Sequence, residues 1–229
     1  MTTARRSLRA SGPQSVTFVE LFFDLVFVFA VTQVTALTAH DLTAEGAIRS
    51  VLLFWLIWWA WTQFTWTLNP ADTTHSGVRV ITLVATAVAF VMATAVPGAF
   101  GNEALWFAIP YILVRLLGLG LQVRIETEHS ASDRSGVLTW ASLSGVGLVL
   151  VMAGAIADPS IRPWLWALAI VADLGAAAIA GRAQRWHLNP AHLSERHGLF
   201  VIIAIGESLI VAGTAVAAEP RTAPLIGAA

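Results

Sequence analysis

The chain has 229 residues, of which 57% are hydrophobic and only 12% are charged. Soluble domains carry about 25% charged residues, so this composition excludes a protein whose whole surface faces water. A formal net charge of −1 argues against nucleic-acid binding through bulk charge, and the absence of cysteine excludes disulfides, thiolate metal sites and catalytic thiols. The composition therefore predicts an integral membrane protein.

Several stretches are long and apolar enough to cross a bilayer, because a hydrocarbon core of about 30 Å takes about 20 residues of α-helix. Turn-forming pairs such as Asn69-Pro70 and Asn189-Pro190 separate them. The runs are continuous rather than alternating, which argues against a membrane β-barrel. The predicted spans are 16–38, 48–68, 78–100, 104–123, 137–157, 163–181 and 198–218. We therefore predict an all-α bundle of about seven transmembrane helices over residues 16–218, preceded by an arginine-rich segment (1–15) and followed by a short tail (219–229).

The positions of the arginines predict that the N-terminus lies inside. Cytoplasmic loops of membrane proteins carry an excess of basic residues, and all 13 basic residues here are arginine. With the N-terminus inside, the outer side receives only Arg49, Arg162 and Arg221. The inner side receives Arg5, Arg6, Arg9, Arg79, Arg124, Arg134, Arg182, Arg185 and Arg196.

Ionisable residues inside membrane spans are costly and therefore indicate function. Glu20 and Asp24 lie one turn apart on the first predicted helix, so both carboxylates leave the same face, near Thr17. Two carboxylates this close in a medium of low dielectric constant should not both ionise readily, which permits proton carriage. The alternative is that the pair lies at the cytoplasmic interface and bonds arginine side chains or helix ends.

Arg115 falls in the middle of a predicted span and should pair with a carboxylate, for which Asp24, Asp173 and Glu207 are the candidates. Together with Glu20, these carboxylates outnumber the single arginine, so protonation or a bound cation must balance the charge. Glu207 lies in an apolar segment and is expected to be a neutral carboxyl that holds a proton.

Another polar pattern is a stripe of Trp55, Trp59, Thr62 and Trp66 on the second predicted helix, with Gln63 beside it. A row of indoles can line a ligand groove. It can equally serve packing and an interfacial belt, because tryptophan collects at membrane–water boundaries. Both interpretations stay open.

The segment before the last span contains several candidate ligands. Asn189 and Pro190 form a favourable N-cap and first helical position, so a helix should begin there and continue into the last span. His192 and Glu195 are three residues apart, but no HExxH or Cys/His pattern accompanies them. We therefore expect no metal or other cofactor here, and interpret this segment, with Arg196, as a solvated turn at the membrane surface.

These segments resemble the bacterial low temperature requirement A family of polytopic membrane proteins. The resemblance rests on residues 16–28 (VTFVELFFDLVFV), on 195–200 (ERHGLF) and on 205–208 (IGES), supported by 58–61 (WWAW), 69–72 (NPAD) and Arg115. It implies a multi-pass protein of the bacterial cytoplasmic membrane. Family members are usually longer, so the chain is expected to correspond to their N-terminal part, without the further C-terminal helices.

Two functions are compatible with these features. The first is an ion- or proton-coupled transporter of a small solute, with a buried site formed by Glu20, Asp24, Arg115, Asp173 and Glu207. The second is a non-transporting sensor or assembly factor needed for growth in the cold, in which the same charges are structural clasps. A transporter should gather its ionisable groups around one solvent-reachable cavity, whereas clasps should be scattered pairs. Accessory residues of the site are Thr17, Gln63, Asn69, Asp72, His192, Glu195, Arg196 and Ser208.

Other partners follow from the same reasoning. The bilayer is the main partner and a second copy of the chain is another, whereas nucleic acid is not expected. Enzymatic activity is not expected either, because Ser208, Glu207 and His197 do not form a recognisable arrangement of nucleophile and base.

Overall fold

A computed structural model of the protein describes residues 7–10, 12, 15–127, 134–183 and 188–218. Within these ranges the chain is helical, and the only β pairing is an isolated bridge between Arg9 and Ala71. The helices are α1 (Phe18–His40), α2 (Ala44–Leu68), α3 (Ser76–Thr94), α4 (Ala104–Thr127), α5 (Arg134–Ile156), α6 (Arg162–Ala183) and α7 (Pro190–Ala218). A short 3-10 helix, Val96–Gly98, follows α3. The predicted all-α bundle is confirmed.

Five of these helices, α1, α3, α4, α5 and α6, are long and apolar enough to cross a bilayer. Helix α2 contains the tryptophan stripe, and α7 begins with a segment that carries His192, Glu195 and Arg196. Helix α2 packs against α1, α4, α6 and α7, and α7 packs against α1 and α2. Helices α2 and α7 thus contact each other and share α1 as a neighbour.

Local side-chain chemistry defines where the helices begin. Thr17 and Glu20 form a reciprocal capping box at the start of α1, satisfying backbone N–H groups that have no partner in the helix. At the start of α7, the Asn189 Oδ1 accepts a hydrogen bond from the His192 N–H at 3.3 Å, and Pro190 is the first helical residue. The predicted start of the last helix at the Asn189-Pro190 pair is confirmed.

The described connections between helices contact other elements at two ends of the bundle, as alternating spans require. At one end, the α2–α3 connection meets the start of α7, where the Asn189 N–H donates to the Asn69 Oδ1 at 2.6 Å. At the other end, the Arg162 guanidinium donates to the carbonyls of Gly101 and Gly154, both at 3.0 Å. The first end is the one that the arginine distribution predicts to be cytoplasmic, and that orientation stays a prediction.

Small residues allow the helices to approach closely. Ala85, Ala89 and Ala93 form a fully buried stripe on α3, which packs against α1 and α4. On α5, a Cβ at Gly154 would lie 2.5 Å from the Trp166 ring of α6, so only glycine leaves room for that indole. The close fit of the α5–α6 pair therefore depends on this glycine.

Candidate functional site

Four charged or titratable residues meet in the interface between α1 and α7, and we call them the α1–α7 charge cluster: Glu20, Asp24, His192 and Arg196. Each is at most 2% exposed. The Arg196 guanidinium donates to both carboxylate oxygens of Asp24, from Nε to Oδ2 at 3.3 Å and from Nη2 to Oδ1. Its Nη1 lies 3.5 Å from the Glu20 Oε1, and the His192 Nε2 lies 3.3 Å from the same oxygen. One guanidinium thus binds both carboxylates.

Further contacts tie this cluster to the helix termini and to α2. The Glu20 Oε2 accepts from the Thr17 N–H at 3.0 Å and from the Thr17 hydroxyl at 2.9 Å. The Trp61 indole donates to the Asp24 Oδ1 at 2.7 Å, and the Arg196 guanidinium lies 6.0 Å from the centre of the Trp61 ring. Glu20 therefore caps α1 and pairs with α7 at the same time, as the interface alternative expected.

Asn69 links the end of α2 to the cluster from a second direction. Its side-chain amide donates to the Asn189 carbonyl at 3.0 Å and lies 3.4 Å from the His192 Nδ1. Asn69 is 2% exposed, so these contacts are shielded from water. Because Nδ1 faces Asn69 while Nε2 faces Glu20, the His192 ring is held between two polar neighbours.

The charges of the cluster do not cancel unless it holds an additional proton. Two carboxylates and one guanidinium leave one negative charge when His192 is neutral. A net charge in a buried environment is unfavourable, and protonation of His192 or of one carboxyl would remove it. The cluster is therefore chemically suited to binding one proton.

The prediction of a solvated turn at His192 and Arg196 is wrong. Both side chains are buried, because they lie one helical turn apart on the face of α7 that packs against α1. Glu195, in contrast, is exposed on α7. Arg196 is also a buried charge rather than a loop arginine, so the surplus of buried carboxylates over buried arginines is smaller than the sequence predicts.

The second buried ion pair joins α4 to α6. Arg115 donates from Nη1 to the Asp173 Oδ2 and from Nη2 to Oδ1, both at 2.9 Å. This two-point contact is the strongest arrangement for an arginine and a carboxylate. The Tyr111 hydroxyl accepts a further bond from Nη1 at 2.9 Å, and a Cβ at Gly147 would lie 3.0 Å from the Asp173 Oδ1. The prediction that Arg115 pairs with a carboxylate is confirmed, and the partner is Asp173.

The remaining candidate residues lie apart from both groups. Glu207 is partly buried on α7, and no ion pair of the described residues includes it. The Ser208 hydroxyl donates to the Ala204 carbonyl at 2.8 Å. Asp72 shapes the α2–α3 connection by accepting from the Thr74 N–H and hydroxyl at 3.0 and 2.6 Å. No group of three or more His, Asp or Glu side chains within the described ranges is placed to hold a metal.

A cavity of about 180 Å³ lies between α2, α4, α5 and α6, and we call it the tryptophan–glutamine pocket. Gln63 is 4% exposed, and neither its Oε1 nor its Nε2 has a hydrogen-bond partner among the described residues. The Thr62 hydroxyl and the Trp59 indole N–H are buried and unpartnered in the same way. The lining residues are Trp59, Thr62, Gln63, Trp66, Gln122, Trp140, Ala177, Ala180 and Gly181.

This pocket supports the ligand-groove interpretation for part of the tryptophan stripe. Trp59, Thr62 and Trp66 line the pocket together with Gln63, whereas Trp55 is not among the lining residues. The sequence reasoning missed the walls contributed by α4, α5 and α6. No local signal marks these residues, because they become neighbours of α2 only when the bundle forms.

Comparison with known proteins places the chain in a family. A family model described as "Bacterial low temperature requirement A protein (LtrA)" matches residues 15–229. The chain belongs to the LtrA family. An uncharacterized protein of Rhizobium meliloti (strain 1021) is 31% identical over 207 residues, which are 86% of this chain and 50% of that relative. The chain thus spans half the length of this curated relative, and no solved structure matches it.

The two terminal motifs of this LtrA family member meet in space. The segment 16–28 contributes Glu20 and Asp24 from α1, and the segment 195–200 contributes Arg196 from α7. The guanidinium of the second motif bonds the carboxylates of the first. The motifs that identified the family from the sequence therefore build most of the α1–α7 charge cluster.

Proposed function

We propose that this LtrA family member is a proton-coupled membrane transporter, with the α1–α7 charge cluster as its proton-binding site. The observation that carries the proposal is the charge imbalance of the cluster. Two carboxylates, one guanidinium and one imidazole are buried together, and the cluster becomes neutral on binding one proton. The Arg115–Asp173 pair is already neutral and serves as a structural clasp in this proposal.

Proton release would change the packing of α7. Without the proton, the cluster carries a buried negative charge, which raises the free energy of the packed α1–α7 interface. Movement of α7 away from α1 would hydrate the carboxylates and relieve that charge. A proton would thus bias the bundle between two arrangements, which is the requirement for coupling to solute movement.

The second candidate is a non-transporting sensor or assembly factor whose charges are structural. It is favoured by the position of the ion pairs, because one group joins α1 to α7 and the other joins α4 to α6. These charged residues do not line the tryptophan–glutamine pocket, and two separate groups are the arrangement expected of clasps, whereas a transporter was expected to gather its ionisable groups around one cavity. Glu20 also caps a helix, which is a structural role.

A liposome experiment distinguishes these functions. The purified chain is reconstituted with a pH-sensitive dye in the lumen, a membrane potential is imposed, and lumenal pH is followed with and without a panel of small uncharged solutes. We expect solute-dependent proton movement in the wild type, and its loss in Glu20→Gln and His192→Gln. Glu195→Gln is the matched control, because Glu195 lies on the same helix but is exposed.

Two outcomes would contradict the transporter proposal. One is equal proton movement in wild-type and protein-free liposomes with every solute and at every pH. The other is unchanged movement in the cluster variants, which would show that the protons take a different route. Both results leave the charges of the cluster with a structural role. The first favours the sensor or assembly factor, whereas the second indicates a transporter whose protons do not pass through the cluster.

A further inference from the structure

We propose that the tryptophan–glutamine pocket binds an uncharged, single-ring organic molecule that carries a hydrogen-bond donor beside an acceptor, as a carboxamide or a lactam does. This inference does not depend on proton coupling, because the α1–α7 charge cluster contributes nothing to the lining. It rests on unpartnered polar atoms, on the shape and charge of the lining, and on the volume.

The unpartnered atoms define the hydrogen-bonding pattern of the ligand. The Gln63 Oε1 accepts and its Nε2 donates, and both are buried without a partner in the described part of the chain. The great majority of buried polar side-chain atoms in folded proteins are paired, so two unpaired atoms on one amide indicate a missing partner. A carboxamide or lactam edge satisfies both atoms at once, by donating to Oε1 and accepting from Nε2.

Two neighbouring groups extend this polar side of the pocket. The Thr62 hydroxyl and the Trp59 indole N–H are also buried and unpartnered among the described residues. The indole can only donate, whereas the hydroxyl can donate or accept. A carbonyl oxygen on the ligand has two lone pairs, so it can accept from a second donor besides the Gln63 amide.

The rest of the lining selects a flat and uncharged molecule. Trp59, Trp66 and Trp140 supply aromatic walls, and no acidic or basic side chain is among the described lining residues. A charged ligand would lose its hydration without gaining a counter-charge, which is strongly unfavourable. The cavity of about 180 Å³ is slightly larger than an apolar cavity of about 150 Å³ that accommodates benzene in another protein.

The surrounding packing holds the pocket in shape. The Trp140 indole donates to the Gln122 Oε1 at 3.2 Å, which fixes the opposite wall. A Cβ at Gly118 would lie 2.8 Å from the Gln63 Nε2, so the absence of a side chain there leaves room for the Gln63 amide. Gly118 of α4 thus leaves space for the Gln63 side-chain amide of α2, whose hydrogen-bonding atoms have no partner among the described residues.

Thermal unfolding of the detergent-purified chain tests the proposal. The probes are benzamide and 2-pyridone, with toluene as a ring lacking the amide and benzoate as a charged analogue. We expect a concentration-dependent rise in Tm with benzamide or 2-pyridone, a smaller rise with toluene and none with benzoate, because only binding to the folded state raises Tm. An equal rise in Tm with toluene would overturn the proposal by indicating an apolar cavity. No rise in Tm with either amide would also overturn it, by indicating a cavity that holds only water.

Substitutions locate the binding to the pocket. Gln63→Leu removes both unpartnered atoms at similar volume, so the empty protein should be at least as stable as the wild type. The benzamide Kd should nevertheless rise by about tenfold or more, since two hydrogen bonds are lost. Thr65→Val is the matched control, because the Thr65 hydroxyl is also buried and unpartnered on α2 but lies outside the lining.

A second variant covers the case in which Gln63→Leu does not fold. Gly118→Ala places a methyl group against the Gln63 amide and pushes it towards the cavity, so benzamide affinity should fall while Thr65→Val binds normally. Unchanged affinity in the folded pocket variants would place the ligand elsewhere and refute the assignment.

Discussion

Removal of Asp173 should strand the Arg115 guanidinium inside the bundle. Both residues are at most 1% exposed, and Asp173→Leu removes the two hydrogen bonds of 2.9 Å that neutralise the arginine. The Tyr111 hydroxyl would remain as a partner but carries no compensating charge. Breaking a buried ion pair by removing one partner costs about 3–5 kcal/mol, which is a large share of the roughly 5–15 kcal/mol that stabilises a typical domain.

The double variant Arg115→Leu/Asp173→Leu should recover most of this loss. Replacing both members of a buried ion pair by apolar residues is often neutral, because neither charge then lacks a partner. Asp24→Asn should not rescue Arg115→Leu, because Asp24 pairs with Arg196 instead. If substitution of Asp173, but not of Asp24, restores the stability of Arg115→Leu, Asp173 is identified as the partner of Arg115.

A double-mutant cycle measures the loss of stability in the single and double variants. The purified proteins are unfolded in mixed micelles by increasing SDS, and unfolding is followed by circular dichroism. We expect each single variant to unfold at a lower SDS fraction than the wild type, and the double variant to unfold close to it. The reasoning fails if the losses of the two single variants simply add in the double variant. Additivity would show that the two side chains stabilise the bundle independently.

Three further outcomes follow from the loops. Asn69→Ala should cost about 1–3 kcal/mol, because it leaves the Asn189 N–H without its partner and removes one of the two hydrogen bonds that the Asn189 carbonyl accepts. Hydrogen exchange at the Asn189 N–H should accelerate, and unchanged exchange would argue against this contact. Hydrogen bonds from Ser160 lower the pKa of Asp158 below 3.8, so the stabilising contribution of its carboxylate is present above that pH and is lost as the pH falls through the lowered pKa. The Tm difference between wild type and Asp158→Asn should therefore shrink with acidification. A Tm difference that stays constant with pH would contradict this prediction. The chain has no cysteine, so a single introduced cysteine is the only thiol that a labelling reagent can modify. A membrane-impermeant thiol reagent should modify Thr74→Cys only from the cytoplasmic side and Ser160→Cys only from outside. The reverse pattern would overturn the predicted orientation.

Local properties of the sequence were sufficient for the helices and several of their ends. Continuous apolar runs predict membrane helices because the bilayer imposes both their length and their composition. The Asn189-Pro190 pair marks the start of α7 because capping depends on residues adjacent in the chain. The need of Arg115 for a carboxylate also follows from the sequence, since an unpaired guanidinium in an apolar span is too unfavourable.

Only the tertiary structure selected the partners. Asp24, Asp173 and Glu207 were equivalent candidates for Arg115 until helix packing brought Asp173 opposite it. The polar sequence around Arg196 predicts a surface position for this residue, yet the packing of α7 buries it against Asp24. Hydropathy reports the average environment of a segment, whereas burial of one side chain depends on the face that the helix presents to its neighbours.

The tryptophan–glutamine pocket shows the same division most clearly. The indole stripe on α2 was visible because positions three and four residues apart share one face of a helix. Whether that face meets lipid, packed side chains or a cavity depends on α4, α5 and α6, whose lining residues lie far from it in the chain. The unpaired atoms of Gln63 arise only from this arrangement, because hydrogen bonds between helices require specific distances and angles that a one-dimensional pattern does not contain.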